Sequence, residues 1–430
     1  MSNVALPSIM KQYNIGVTVG VWVVTIYILL FSTLMPVFGR LGDMFGYRRM
    51  YMLAMSGLAV SMILTAFAPS AGWLIAFRAL AGVCNAPILP SVMGIIAEVF
   101  PASERGGAMG FWATANAAAH GLGPVFSGLL VQYFGWPSVY FFIAGLTLVG
   151  VLMIRAFVPK DAKHTRGSFD PIGASTLTLA MILFMFNLTQ GLSQDYGLAV
   201  NAALWAGFAA LFGTFLFSQS RIRQPFVDLR LFSQRGYAVV TLVSGAQLFC
   251  LFGLQFLLPQ FLKNVQGRTF AETGLLIAPL ALTLALASPG AGRLSDFVGS
   301  RLTCIIGMSI VALAGVGLAF WAADTAGWAV VLTLIVLGFG MGLTQSPTAN
   351  AVTLVVGRER LGVALGIFNM LRFVSGTVGT TIFGVILDRG EGVAAFQLNF
   401  YLFTAVAAAA ALLSLRMPST TRRQWAAERP

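Results

Sequence analysis

"GRLGDMFGYRRM", residues 39–50, is a charged island between two long apolar runs, and a near copy, "GRLSDFVGSR", occupies residues 292–301. In a chain that is 58% hydrophobic and only 9% charged, three arginines and an aspartate within one short stretch need a physical reason. Outward from the first island, apolar stretches of about 20 residues, the length that crosses roughly 30 Å of hydrocarbon as helix, recur along the whole chain. They fall near 17–38, 50–68, 72–98, 106–131, 136–157, 171–193, 198–219, 237–262, 271–290, 302–322, 327–354, 361–386 and 396–416. A mean hydropathy of +0.85 leaves too little polar surface for soluble domains. The sequence therefore predicts an all-α integral membrane protein with thirteen spans.

A net charge of +12 raises the possibility of nucleic acid, but the placement of the charge excludes it. Of the 26 Lys and Arg, 20 fall in alternate connections and the C-terminal tail, whereas the opposite loops hold only Lys11, Lys263, Arg268 and Arg389. That asymmetry is the positive-inside pattern and predicts that the basic loops and the C-terminus are cytoplasmic. Cys84, Cys250 and Cys304 have no metal-ligand spacing, and no nucleophile–base set or phosphate loop is present, so the reading is no enzyme, no cofactor and no metal.

The chain repeats itself. Gly39, Asp43, Gly46 and Arg48 return 253 positions later as Gly292, Asp296, Gly299 and Arg301. "ERGGAMG" (104–110) answers "ERLGVALG" (359–366), and Gly123 and Gly128 answer Gly379 and Gly384, at offsets of 255 to 256. Parallel repeats of this kind build secondary transporters whose substrate binds between two halves. The organisation expected is an N-terminal bundle (1–157), linkers with two extra helices (158–236), a C-terminal bundle (237–417) and a cytoplasmic tail (418–430). Within the motif, Asp43 is placed to accept from helix N-terminal amides or to pair with an arginine, and Gly39 and Gly46 to let backbones approach. The fixed spacing and its return point to a clasp that holds one conformation and breaks in the other; anchoring alone would explain only the arginines.

"ALPSIMKQ" (5–12) matches "LLPQFLKN" (257–264), so residues 1–9 correspond to the end of a span. Thirteen spans with a cytoplasmic C-terminus put the N-terminus outside, and a fourteenth would restore an even count. The expectation is that a first helix begins upstream of Met1; the alternative is a short extracellular tail.

These motifs resemble the major facilitator superfamily, and specifically its 14-span drug:proton antiporter branch, over nearly the whole chain. "GRLGDMFGYRR" is similar to the superfamily's loop signature. "RALAGVCNAPILP" (78–90) is similar to the motif of its fourth helix, "GLGPVFSG" (121–128) to the antiporter motif of its fifth, and "NVALP" (3–7) to the end of the branch's first-helix motif. "FDPIGA" (169–174), "PFVDLRLF" (225–232) and "NMLRFVSGTVGT" (369–380) are also typical of that branch. The resemblance implies two pseudo-symmetric helix bundles plus two extra central helices, export of amphipathic or drug-like molecules in exchange for protons, and a bacterial inner-membrane location. The implied partners are a small-molecule substrate, protons and the lipid bilayer; whether a periplasmic adaptor joins them is not written in the sequence.

Individual residues follow. Arg78 lies inside a span, where an isolated charge costs roughly 2.5 to 3.5 kcal/mol by insertion scales, and the family implicates this arginine in proton coupling. Where the family pattern has glutamine, this chain has Ala81. Arg372 is the second intramembrane arginine, one turn from Asn369, and either lines a cavity or packs. His120, one turn after Asn116, titrates near neutral pH unless it is a packing histidine. Gly121, Gly123, Pro124 and Gly128 form a notch and a kink for a tight helix crossing; in the superfamily this motif accompanies export. Asn85 and Gln255 are further cavity candidates, with helix–helix hydrogen bonding as the alternative. All fourteen Asp and Glu fall in loops or near span ends, and the branch's first-helix aspartate would sit just before "NVALP". Two alternatives to a drug exporter stay open: an exporter of one specific metabolite, and a membrane protein that transports nothing.

Overall fold

The computed structural model describes residues 2–15, 17–101, 104–160, 170–188, 197–222, 225–233, 235–268, 270–356, 361–390 and 392–418. Among them the chain is helical throughout, as a chain in hydrocarbon must be when each backbone N–H and C=O needs an internal partner. The helices are α1 (Ser2–Tyr13), α2 (Val17–Phe45), α3 (Tyr47–Ala66), α4 (Ala71–Asn85), α5 (Ile88–Val99), α6 (Arg105–Phe134), α7 (Pro137–Phe157), α8 (Pro171–Phe186), α9 (Leu198–Arg221), α10 (Arg230–Ser233), α11 (Arg235–Asn264), α12 (Phe270–Val298), α13 (Ser300–Ala319), α14 (Gly327–Val355), α15 (Leu361–Arg389) and α16 (Gly392–Ser414).

Among the described residues each of the thirteen expected spans corresponds to helix, with one difference. The stretch 72–98 is two helices, because α4 ends at Ala86 and α5 restarts behind Pro87, which has no N–H to donate into a continuous ladder. Eleven spans are long and apolar enough to cross a membrane, with α4 and α5 counted as one, and α8 is a shorter apolar helix. The thirteenth, α6, is thirty residues long but outside that set, its hydropathy lowered by its glycines and by Thr114, Asn116 and His120. α1 packs on α2 and α6, buries Ala5 and Ile9, and is tied down by the Tyr13 hydroxyl, which donates to the Ala68 carbonyl at 2.6 Å. Residues 5–12 of α1 match residues 257–264 near the end of α11 in sequence.

Two pseudo-symmetric bundles result. In one, α3 packs against α4 and α7; in the other, α13 packs against α14 and α16. They meet along two long seams, α2 with α15 and α6 with α12. The helix ends at Phe45, Phe100, Phe157, Arg235, Val298 and Val355 share one face: Arg48 Nη2 donates to the Arg155 carbonyl, and Gly236 lies beside Val355 and Pro418. Among the described residues, Arg40, Arg48, Arg49, Arg155, Arg293 and Arg301 belong to this basic face.

The two extra helices pair with each other and rest on α2. Asp170 caps α8 by accepting from Gly173 N at 2.9 Å, and its other oxygen accepts from Gln219 Nε2 at 2.8 Å and Phe226 N at 3.4 Å. Gln219 Oε1 in turn accepts from Val227 N. This network explains "FDPIGA" and "PFVDLRLF": it fixes the loop so that Phe226 and Val227 pack with Leu177, Met181 and Phe215 against Leu29 of α2 and Val363 and Ile367 of α15. The α8–α9 pair therefore runs along the α2–α15 seam.

Candidate functional site

At the basic face the two motif aspartates reach across to the opposite bundle. Asp43 Oδ1 accepts from Gly362 N at 2.7 Å and Oδ2 from Val363 N at 3.2 Å, at the first turn of α15. Asp296 Oδ1 accepts from Gly106 N and Oδ2 from Gly107 N, both at 3.0 Å, at the first turn of α6. Glu104, which precedes α6, gives no side-chain cap, so the helix receives its cap from the other bundle. A carboxylate on helix N-terminal amides is the favoured electrostatic pairing, and each charge-assisted bond contributes about 1.5–3 kcal/mol. The two clasps are related by the internal repeat, with amide partners 256 positions apart.

Close helix approach makes these bonds possible. A Cβ on Gly39 would collide with the Gly362 carbonyl, and one on Gly292 with that of Gly106. One turn further in, Gly366 lies on Met35 and Pro36, and Gly110 on Ser288 and Pro289. Thr114 Oγ1 continues the second seam with a bond to the Ala285 carbonyl at 2.9 Å.

Each clasp has a second donor, and the halves supply it differently. The Tyr47 hydroxyl donates to Asp43 Oδ1 at 2.6 Å, its ring lying over Gly94 of α5. In the other half Tyr47 is replaced by Ser300, and Asn350 stands where Gly94 does, counted from the helix ends at Phe100 and Val356. Asn350 Nδ2 donates to Asp296 Oδ1 at 3.4 Å. The repeat marks the aspartates twice; Tyr47 stands in the first stretch only, and the helix amides carry no residue signature.

Several expectations are corrected by this geometry. Gly46 and Gly299 do not serve close packing; both precede a helix at φ of 96° and 90°, a left-handed conformation that only glycine adopts without strain. Gly128 does not form part of a notch, since a Cβ there would meet nothing within 4 Å, whereas Gly123 is buried. Gln255, a cavity candidate on α11, is exposed. Arg301 is exposed, and Arg48 is half-buried with its bond to Arg155. The side chains of His120, Gly121 and Pro124 lie outside the described residues, as do Glu359, residues 161–169 and the tail from 419; Asn116, on α6, is half-buried.

Arg78 is 4% exposed in α4. Its Nε donates to the Val23 carbonyl at 3.0 Å, and its guanidinium lies 4.3 Å from the Tyr27 ring centre and 5.8 Å from that of Tyr140. Asn85 Nδ2 donates to the Tyr27 hydroxyl at 2.7 Å. Arg78, Asn85 and Tyr27 thus form one cluster, in which a carbonyl and an aromatic face stand in for the amide lost at Ala81. The second expected pair is also together: Arg372 Nη1 donates to Asn369 Oδ1 at 3.4 Å, and Asn369 Nδ2 donates to the Leu365 carbonyl and to Met93 Sδ across the bundle boundary.

Comparison with known proteins agrees with this architecture. An uncharacterized MFS-type transporter of Mycobacterium tuberculosis is 29% identical over 88% of the chain, which spans 65% of that relative's length. The riboflavin transporter RibZ of Clostridioides difficile is 27% identical over 89% of the chain and 82% of its own length, and the multidrug resistance protein Stp of M. tuberculosis is 27% identical over 90% and 72%. Among solved structures, the human organic anion transporter MFSD10 superposes with a TM-score of 0.71 at 17% identity, over 95% of this chain and 88% of its own, a likeness of fold alone. The family model of the Major Facilitator Superfamily matches residues 1–380, and the chain, a multi-pass membrane protein with this fold, belongs to that superfamily.

Proposed function

We propose that this transporter exports small amphipathic molecules in exchange for protons, by rocking its two bundles about a central site. The observation that carries the reading is the symmetric pair of clasps, Asp43 on α15 and Asp296 on α6. Both join the bundles on the same face, so both break together when that face opens. With the basic face cytoplasmic, the structure is the state closed to the cytoplasm, and opening it loads substrate for export. The likeness to a multidrug resistance protein supports export of drug-like molecules, and the likeness to a riboflavin transporter supports the narrower reading of one metabolite. Arg78, with its carbonyl and tyrosine partners, is assigned to proton coupling on the family pattern.

The test is efflux from cells or everted vesicles containing the protein, with ethidium as a cationic dye and carboxyfluorescein as an anionic one. Efflux of either dye that stops on adding a protonophore supports the reading. Efflux that persists without a proton gradient removes proton exchange, and no efflux of either dye or of a metabolite panel removes export.

A further inference from the structure

Among the described residues, Arg372 is a buried cation whose hydrogen bonding is incomplete. Arg372 is 3% exposed, eleven residues into α15, roughly 17 Å from the start of that helix at 1.5 Å per residue. Its Nη1 donates to the neutral amide of Asn369 at 3.4 Å, its Nε has no hydrogen-bond partner among the described residues, and its guanidinium lies 5.2 Å from the Phe368 ring centre. A guanidinium stays protonated whatever the pH of the cell and offers five donors in a rigid fork. The described carboxylates sit at helix ends, as Asp43 and Asp296 do in the clasps. A buried charge of this kind is stable only when paired.

The surroundings are polar and lie where the bundles meet. Asn369 touches Met93 of the other bundle. α11 runs along α15, with the Tyr237 hydroxyl on the Ala364 carbonyl and Gly245 against Ser375. The buried Ser91 hydroxyl of α5, the helix that carries Met93, has no hydrogen-bond partner among the described residues. An unfilled Nε donor on a buried cation calls for an acceptor group. Beside Arg372, Phe373 meets Phe31 of α2 and Phe252 of α11, at ring-centre distances of 5.0 and 5.9 Å, an apolar wall contributed by both bundles.

We infer that Arg372 is the anchor for an anionic substrate, an aromatic carboxylate whose two oxygens bond Nε and Nη of the guanidinium while its ring lies against the phenylalanines. This rests on the transport reading above and narrows its substrate class from amphipathic molecules in general to organic anions and zwitterions. A carboxylate matches the planar fork bidentately; a lysine in its place keeps the charge and loses that geometry.

The experiment uses the full chain purified in detergent, with 2-naphthoate, 2-naphthamide and 2-naphthylmethylammonium as probes of one shape and three charges. Naphthoate is expected to raise the thermal midpoint saturably while the other two do not. Arg372→Lys weakens naphthoate at least about tenfold, and Arg372→Gln removes the response. Equal responses to all three probes in the unaltered protein overturn the inference without any variant having to fold, and so does undiminished naphthoate affinity in Arg372→Gln. The efflux assay separates the two claims. Arg372-dependent naphthoate binding without efflux of either dye, of naphthoate or of the metabolite panel leaves the anion site standing and removes transport. Ethidium efflux without naphthoate binding does the reverse.

Discussion

Asp43 and Asp296 each satisfy two backbone amides of a helix in the other bundle, so the chemistry of the clasp resides in single side chains. Asp296→Ala removes two bonds of about 1.5–3 kcal/mol each before hydration of the freed amides offsets part of the loss. A net change near 2 kcal/mol shifts the closed-to-open ratio about 30-fold. The expected outcome is faster cysteine labelling at positions lining the α6–α12 seam, such as Ala108→Cys, in the Asp296→Ala background. Asn350→Ala, which removes one 3.4 Å contact, is expected to shift labelling several-fold less. Gly299→Ala places a Cβ at φ 90° and is expected to cost roughly 1–2 kcal/mol of stability, read as a lowered thermal midpoint. The aspartates and glycines were legible because the repeat prints them twice. Their partners were not, because the amides of Gly362, Val363, Gly106 and Gly107 belong to the backbone, and because Tyr47 and Asn350 do one task from different positions.

At the scale of elements, the extra helices α8 and α9 could be counted in the sequence but not placed. Their lengths follow from hydropathy; their position depends on Asp170, Gln219 and the loop at Phe226 and Val227, a set of contacts among residues some 50 positions apart. The pair covers the α2–α15 seam, whereas at the basic end of the α6–α12 seam a cleft of about 580 Å³ remains, bordered by Phe111, Arg293 and Phe297. Burial works to raise the Asp170 pKa, but the hydrogen bonds from Gln219, Gly173 and Phe226 together outweigh it and leave the carboxyl below its ordinary value. A depressed carboxylate contributes stability that is fully present above the unfolded pKa and is lost as pH falls through the folded one. Asp170→Asn is therefore expected to lower the thermal midpoint at pH 7, and the gap to the unaltered protein is expected to narrow below about pH 4. A gap that is constant from pH 7 to pH 3 would show that Asp170 acts without its charge.

Over the whole molecule, the fold is two copies of one helix plan joined back to front, and the seams carry the same geometry twice. That symmetry was visible in the 253-residue offset of the motifs, while the identity of the seams, α2 with α15 and α6 with α12, needed three dimensions. On the proposed alternating-access reading, a molecule closed by equivalent clasps on one face also reaches a second state in which both are open. The direct test is a distance distribution between spin labels at Phe45→Cys and Phe297→Cys, exposed positions at the basic ends of α2 and α12, in protein reconstituted into lipid. The account predicts a main short-distance population with a minor longer one, and a shift to the longer one when Asp43 and Asp296 are both changed to Ala. A single short distance, identical with and without the two aspartates, would contradict it.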